Sequence, residues 1–293
     1  MTKLWREFGR RRNVTRDMKV GFIGLGSMGA PIARRIMNAG WPLTVWGRPA
    51  ASLAPFEGSA ATVAGSAPEV AANCDLLGIC VNADDDVRDV LITQGALEAM
   101  RPGTIVAIHS TILPGTMTEL EAAAIGHGVR LIDTPVTGGP RGAEAGTLTV
   151  MVGGDAETLA RIRPVLDSFA ANIPHMGPLG AGQLMKLLNN NLAFANMIMG
   201  MNALELAADL GMDVDVVASV LKVGSGASGG LNVITDETLF TKIRGPVSSM
   251  NKEIHHLTEV ARQRGLGDPE LVRITAATPE RLDRFASRVG SGG

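Results

Sequence analysis

The sequence contains no tyrosine, so no phenol is available as a proton donor or acceptor. Its two cysteines, Cys74 and Cys80, cannot make a disulfide framework and point to a reducing compartment, hence a cytoplasmic location. Both stand in or beside an apolar, strand-like run and read as buried thiols. The five histidines show no HExxH or similar spacing, so no metal site is expected. A net charge of −2 leaves no clustered positive field for a nucleic-acid partner. No apolar stretch follows the basic first seventeen residues, where Arg10, Arg11 and Arg12 stand in a row. A signal peptide is therefore not expected, and residues 1–17 read as a disordered extension. The most apolar helix-like stretch, about residues 191–210, is interrupted by Asn196, Asn202, Glu205 and Asp209, which excludes a membrane span.

What is abundant is glycine. Thirty-six glycines fall in short, spaced clusters, the pattern of sites built from backbone. Between them, short β-branched runs alternate with alanine-rich helical segments. Strands are expected at 19–23, 42–46, 75–81, 104–110, 129–133 and 147–154, with helices over 28–39 and 115–125 among the intervening stretches. Continuous apolar strands alternating with helices imply a parallel sheet covered on both faces. After about residue 178 the strands stop. Residues 182–210 read as one long helix, with Leu184, Leu187, Leu188, Asn191, Leu192 and Ala195 at helical spacing, and Met197, Met199 and Met201 read as core or subunit interface. The expected fold class is α/β: a doubly wound Rossmann-type sheet over 18–179, then an all-α domain over 180–293, joined by the long helix.

Gly24-x-Gly26-x-x-Gly29 stands directly between the first strand and the first helix. Gly24 permits the tight turn, Gly26 lets backbone approach a pyrophosphate, and Gly29 lets helix pack on strand. Free amides at the helix start, with the helix dipole, favour the negative charge. Gly24, Leu25, Gly26, Ser27, Met28 and Gly29 are thus expected to bind a dinucleotide. The second strand ends Val45-Trp46-Gly47-Arg48 with no carboxylate to receive ribose hydroxyls. Gly47 and Arg48 are placed at the adenine ribose, where a guanidinium fork suits a 2′-phosphate. NADP is favoured over NAD on that ground.

The missing tyrosine excludes the YxxxK mechanism of short-chain dehydrogenases. Three other segments together resemble the β-hydroxyacid dehydrogenase family, which includes 3-hydroxyisobutyrate dehydrogenase and tartronate semialdehyde reductase, over about residues 18–257. Asp133-Thr-Pro-Val-Thr137-Gly138-Gly139 is similar to that family's substrate loop, with threonine for the usual serine. Gly180-x-Gly182-x-x-x-Lys186-x-x-x-Asn190 is similar to its GxGxxxKxxxN, and a spacing of four puts Lys186 and Asn190 on one helix face. His109-Ser110-Thr111-Ile112-Leu113-Pro114 resembles its S-[ST]-x-x-P. The resemblance implies that Lys186 is catalytic, and that Ser110, Thr137, Gly138, Gly139 and Asn190 hold the substrate. It further implies that Val81, Asn82, Ser110 and Lys252 lie near the cofactor, although Asn82 replaces a proline and Glu253, after Lys252, replaces an aspartate.

A nicotinamide-dependent oxidoreductase acting on a small β-hydroxyacid or its semialdehyde follows from that resemblance. An unperturbed lysine is neutral only about 0.04% of the time at pH 7, so a basic role requires burial and a nearby positive ring. Two alternatives share the architecture. Imine reductases usually place another residue at the Lys186 position, and a catalytically silent NADP-binding module would not be expected to keep Lys186, Asn190, Ser110 and Gly138-Gly139 together. Phosphogluconate dehydrogenases have a much longer helical part. The resemblance implies a homodimer or homotetramer packed through the helical domains, with the hydroxyacid as small-molecule partner.

Overall fold

The computed structural model describes residues 17–236, 238, 240 and 247–289. Apart from Asp17, the basic stretch at 1–17 lies outside them. The chain forms two compact units that divide between Gln183 and Leu184.

Among the described residues the first unit carries eleven strands. They are β1 (Val20–Ile23), β2 (Leu43–Trp46), β3 (Thr62–Val63), β4 (Leu76–Ile79), β5 (Ile105–Ile108), β6 (Arg130–Asp133), β7 (Val136–Thr137), β8 (Leu148–Val150), β9 (Val152–Gly153), β10 (Ala170–Asn172) and β11 (His175–Gly177). Eight form one sheet in the order β11-β9-β6-β5-β4-β1-β2-β3, and β10, β8 and β7 form a small second sheet. Seven helices cover these sheets: α1 (Gly29–Asn38), α2 (Ala67–Ala72), α3 (Asp84–Arg88), α4 (Ala96–Ala99), α5 (Pro114–Ile125), α6 (Gly139–Ala145) and α7 (Ala156–Leu166).

The central strands are buried at every position because both sheet faces are covered. Alternate residues point to opposite sides. Val20, Phe22, Leu76, Ile105 and Ala107 join Ile32 and Ile36 of α1 in one core. Ile23, Leu77, Ile79, Val106 and Ile108 join Val70, Leu97, Met117 and Leu120 in the other. Burying each such Phe, Ile or Leu contributes about 1.5–3 kcal/mol, so the sheet plane is strongly specified.

Two expectations about the strands need correction. The run at 147–154 is not one strand. Leu148–Val150 pairs with β7 and β10 in the small sheet, whereas Val152–Gly153 belongs to the large one. The change of sheet occurs at Met151, whose amide donates to the Pro135 carbonyl. Nor is the large sheet parallel throughout, because β9 runs antiparallel to β6.

The long helix α8 (Ala181–Asp209) begins in the first unit, and its part in the second supplies Phe194, Met197, Ile198, Met201 and Leu204 to a separate core. These positions recur at helical spacing. They pack with Leu231, Ile234, Met250, Ile254, Leu282 and Phe285 from the helices that follow. Of the methionine-rich stretch, Met197 and Met201 are core, while Met199 is exposed. No helix among the described residues is long and apolar enough to cross a membrane.

Candidate active site

The strand order reverses beside β1, whose neighbours are β4 on one side and β2 on the other. Connections leave this point in opposite directions, opening a crevice beyond the strand ends. A cleft of about 220 Å³ lies there, lined by Gly24, Leu25, Gly26, Gly47, Arg48, Ser52, Val81, Asn82 and Asp86 among others. Seven of the residues expected to bind cofactor therefore share one wall.

The turn that forms this wall is possible only with glycine. Gly24 has φ +94°, and a side chain there would meet the Cys80 carbonyl; a Cβ at Gly29 would overlap the Gly24 carbonyl oxygen. A Cβ at Gly26 would meet nothing and would fill the cleft instead. The turn is shaped to leave backbone amides open to a large anion at the start of α1, and these residues fit the pyrophosphate of a dinucleotide. Ser27, Met28 and Gly29 complete the turn, with Gly29 buried beneath it.

Arg48 departs from the simple picture of an available fork. Its Nη1 donates to Asp86 Oδ1 at 2.9 Å and its Nη2 to Asp89 Oδ2 at 2.7 Å. These two bonds hold its pKa above the ordinary arginine value.

Ser110 is buried at the end of β5. Its hydroxyl oxygen accepts the Val81 amide at 2.8 Å, tying the end of β5 to the segment after β4. The Ser110 carbonyl accepts from Gln183 Nε2 at 2.8 Å, and Gln183 Oε1 accepts the Ile112 amide at 3.1 Å. On the neighbouring strand, Asp133 Oδ1 accepts the Gly180 amide at 2.7 Å and Oδ2 accepts the Gln183 amide at 2.8 Å. Burial nevertheless pushes the Asp133 carboxyl up to about 6 against the pull of those amides. The GxG before the lysine thus has a local cause: a Cβ at Gly182 would strike the Met151 carbonyl and the Asp133 carboxylate.

Thr137 closes β7, and Gly138 and Gly139 follow at φ +124° and +65°, exposed at the start of α6. Two successive positive φ values explain why the loop needs a glycine pair.

In the second unit Lys186 is half-buried on α8, one turn before Asn190. Asn190 Nδ2 donates to Glu253 Oε2 at 2.7 Å, and the adjacent Asn191 donates to the Glu253 carbonyl at 3.3 Å. Glu253, in place of the family's aspartate, therefore orients Asn190, and Lys252 beside it is half-buried.

Asp86, Asp89, Gln183 and the clamping role of Asp133 escaped the sequence reading. Only Asp133 carried a signal, as a carboxylate closing an apolar strand.

A family model described as the NAD binding domain of 6-phosphogluconate dehydrogenase matches residues 19–177. A second, described as the NAD-binding domain of NADP-dependent 3-hydroxyisobutyrate dehydrogenase, matches 180–286. The chain belongs to the β-hydroxyacid dehydrogenase family. An NAD-dependent L-serine dehydrogenase from Pseudomonas aeruginosa is 38% identical over 73% of this chain and 72% of its own. The 3-hydroxyisobutyrate dehydrogenase of the same organism gives the same identity and coverage. Among solved structures, Mycobacterium tuberculosis 3-hydroxyisobutyrate dehydrogenase with L-serine superposes at TM-score 0.75, with 28% identity and 94% of each chain covered. An imine reductase from Streptomyces aurantiacus, 21% identical at TM-score 0.64 over 94% of this chain and 95% of its own, shares the fold alone.

Proposed function

We infer that this protein transfers hydride between the nicotinamide of NAD(P) and a small β-hydroxyacid or its semialdehyde, with Lys186 handling the proton. One observation carries this reading. Lys186 lies half-buried one turn from Asn190, and Asn190 is held in place by Glu253. A solvated surface lysine would need no such arrangement.

The dinucleotide, when bound, supplies the hydride acceptor or donor. The chain supplies the rest. In oxidation the substrate C–H bond gives up its electron pair as hydride, the O–H proton passes to the Lys186 Nζ, and a C=O bond forms. In reduction the Lys186 ammonium donates that proton back to the carbonyl oxygen. Asn190, through the amide proton not engaged by Glu253, and Ser110 are proposed to orient the substrate. Thr137, Gly138 and Gly139 are proposed to grip its carboxylate, as successive amides freed by glycine form an anion-binding concavity. Lys252 and Asn82 are assigned to the cofactor side.

Support for a 3-hydroxyisobutyrate- or serine-like substrate comes from the relatives named above. The expectation of NADP rests on Arg48, whose fork suits a 2′-phosphate; the two carboxylates that hold that fork act against it. We place the protein in the cytoplasm because two cysteines are too few for a disulfide framework, as a homodimer or homotetramer assembled through the helical unit. A spectrophotometric screen of small hydroxyacids and their semialdehydes with both dinucleotides tests the assignment. Turnover of at least one supports it, and none across the panel contradicts it.

A further inference from the structure

The adenosine end of the cleft carries a charge pattern that the second strand alone does not foretell. Each carboxylate that holds Arg48 is itself fixed. Asp86 Oδ2 accepts the Ala83 amide at 3.2 Å, and Asp89 Oδ2 accepts the Gln94 side-chain amide at 2.6 Å. The Arg48 side chain is 53% exposed, against 24% for Asp86 and 35% for Asp89. Singly, such half-exposed pairs contribute little. Together they form a network of one cation and two anions with a net charge of −1.

This network treats the two dinucleotides differently. A 2′-phosphate, with a charge of roughly −1.5 to −2, would have to draw Arg48 away from both carboxylates and leave them uncompensated beside it. A ribose 2′-hydroxyl instead brings a proton to donate. The Asp86 carboxylate, which lines the same cleft as Gly47, can accept it. We propose that Asp86, backed by Asp89, determines dinucleotide selectivity. Asp86 stands in for the ribose-binding carboxylate that the end of β2 lacks, and the two together withhold Arg48 from a 2′-phosphate, so that NAD binds at least as tightly as NADP. The pair lies 38 and 41 residues beyond Arg48, which is why no local motif announces it. The inference concerns binding alone and rests on the family's NAD(P) binding, not on which hydroxyacid reacts.

Isothermal titration of the full chain with NAD and with NADP, in the absence of hydroxyacid, tests it. For the wild type, the expected Kd for NAD is equal to or below that for NADP. Asp86→Asn with Asp89→Asn frees the guanidinium and removes the ribose acceptor. The affinity ratio should then move toward NADP by about tenfold, the scale of one charge-assisted hydrogen bond. Asp89→Asn alone keeps the Asp86 acceptor and should shift the ratio in the same direction by less; if the double variant binds neither dinucleotide, this single variant decides. A wild-type Kd for NADP below that for NAD, a ratio unmoved by the substitutions, or wild-type binding of neither dinucleotide overturns the proposal. Absence of turnover in the hydroxyacid screen would count against the catalytic reading and leave this ratio untouched.

Discussion

His109, just after β5, and Asp133, the last residue of the adjacent β6, respond to acid in opposite directions. Burial between Phe22 and Phe169 pushes the His109 imidazole down to about 4. Its contribution to stability is present above the ordinary value of 6.5 and is lost as pH falls toward 4. Burial pushes the Asp133 carboxyl from 3.8 up to about 6. Its contribution is greatest below 3.8 and is lost as pH rises through 6. Each shift corresponds to about 3 kcal/mol at most by linkage, and the two largely cancel between pH 4 and 6.5. Urea denaturation at pH 4.5 and 7 is expected to expose this. Relative to wild type, His109→Gln should gain stability on acidification and Asp133→Asn should lose it. Parallel behaviour of all three proteins would contradict the assignment. The residue scale is also where the sequence was least legible. Arg48 was recognisable at the end of a strand, but Asp86 and Asp89 come from a distant helical segment, and only folding brings them to the same guanidinium.

At the scale of elements, legibility followed length. Strands β1, β2, β4, β5 and β6 and helices α1, α5 and α8 all fall within the expected segments to within about two residues, because long apolar periodicity leaves few alternatives. The strands of two or three residues, β3, β7, β10 and β11, carry too few positions for any period to register. The split at Met151 was hidden for a related reason: β8 and β9 follow one another in a single largely apolar run, and the break is marked only by the Met151 amide donating to the Pro135 carbonyl. The glycine turn was legible because backbone geometry requires it. Gly29→Ala should therefore act on the turn itself, displacing the Gly24 carbonyl, costing roughly 1–3 kcal/mol as overpacking does and weakening dinucleotide binding. Calorimetric Tm and a binding titration check this, and unchanged values of both would refute it.

At the scale of the whole molecule, residues with proposed roles occur in each of the two units. The cofactor cleft and the glycine-pair loop belong to the first, and Lys186, Asn190 and Lys252 to the second. The second unit also exposes Leu188, Leu192, Met199, Leu206 and Leu210 along α8 and just beyond it, with Val216, Val220 and Val223 on the next helix. Exposed apolar surface of this extent is where the proposed homodimer or homotetramer would pack. Light scattering should give the mass of a dimer or tetramer for the wild type and a smaller mass for Met199→Glu with Leu206→Glu. A monomeric wild type would contradict that expectation.

Lys186 is proposed to move the proton in a hydroxyacid dehydrogenase. The most direct test of this role is nicotinamide absorbance during turnover of the best substrate from the hydroxyacid screen, for wild type and Lys186→Ala, with dinucleotide Kd measured alongside. On loss of Lys186, kcat should fall by roughly 10²–10⁴-fold, the usual contribution of a positioned proton-transfer group, while Kd stays within about threefold, a shift of less than 1 kcal/mol. Turnover by the alanine variant at close to the wild-type rate would contradict it.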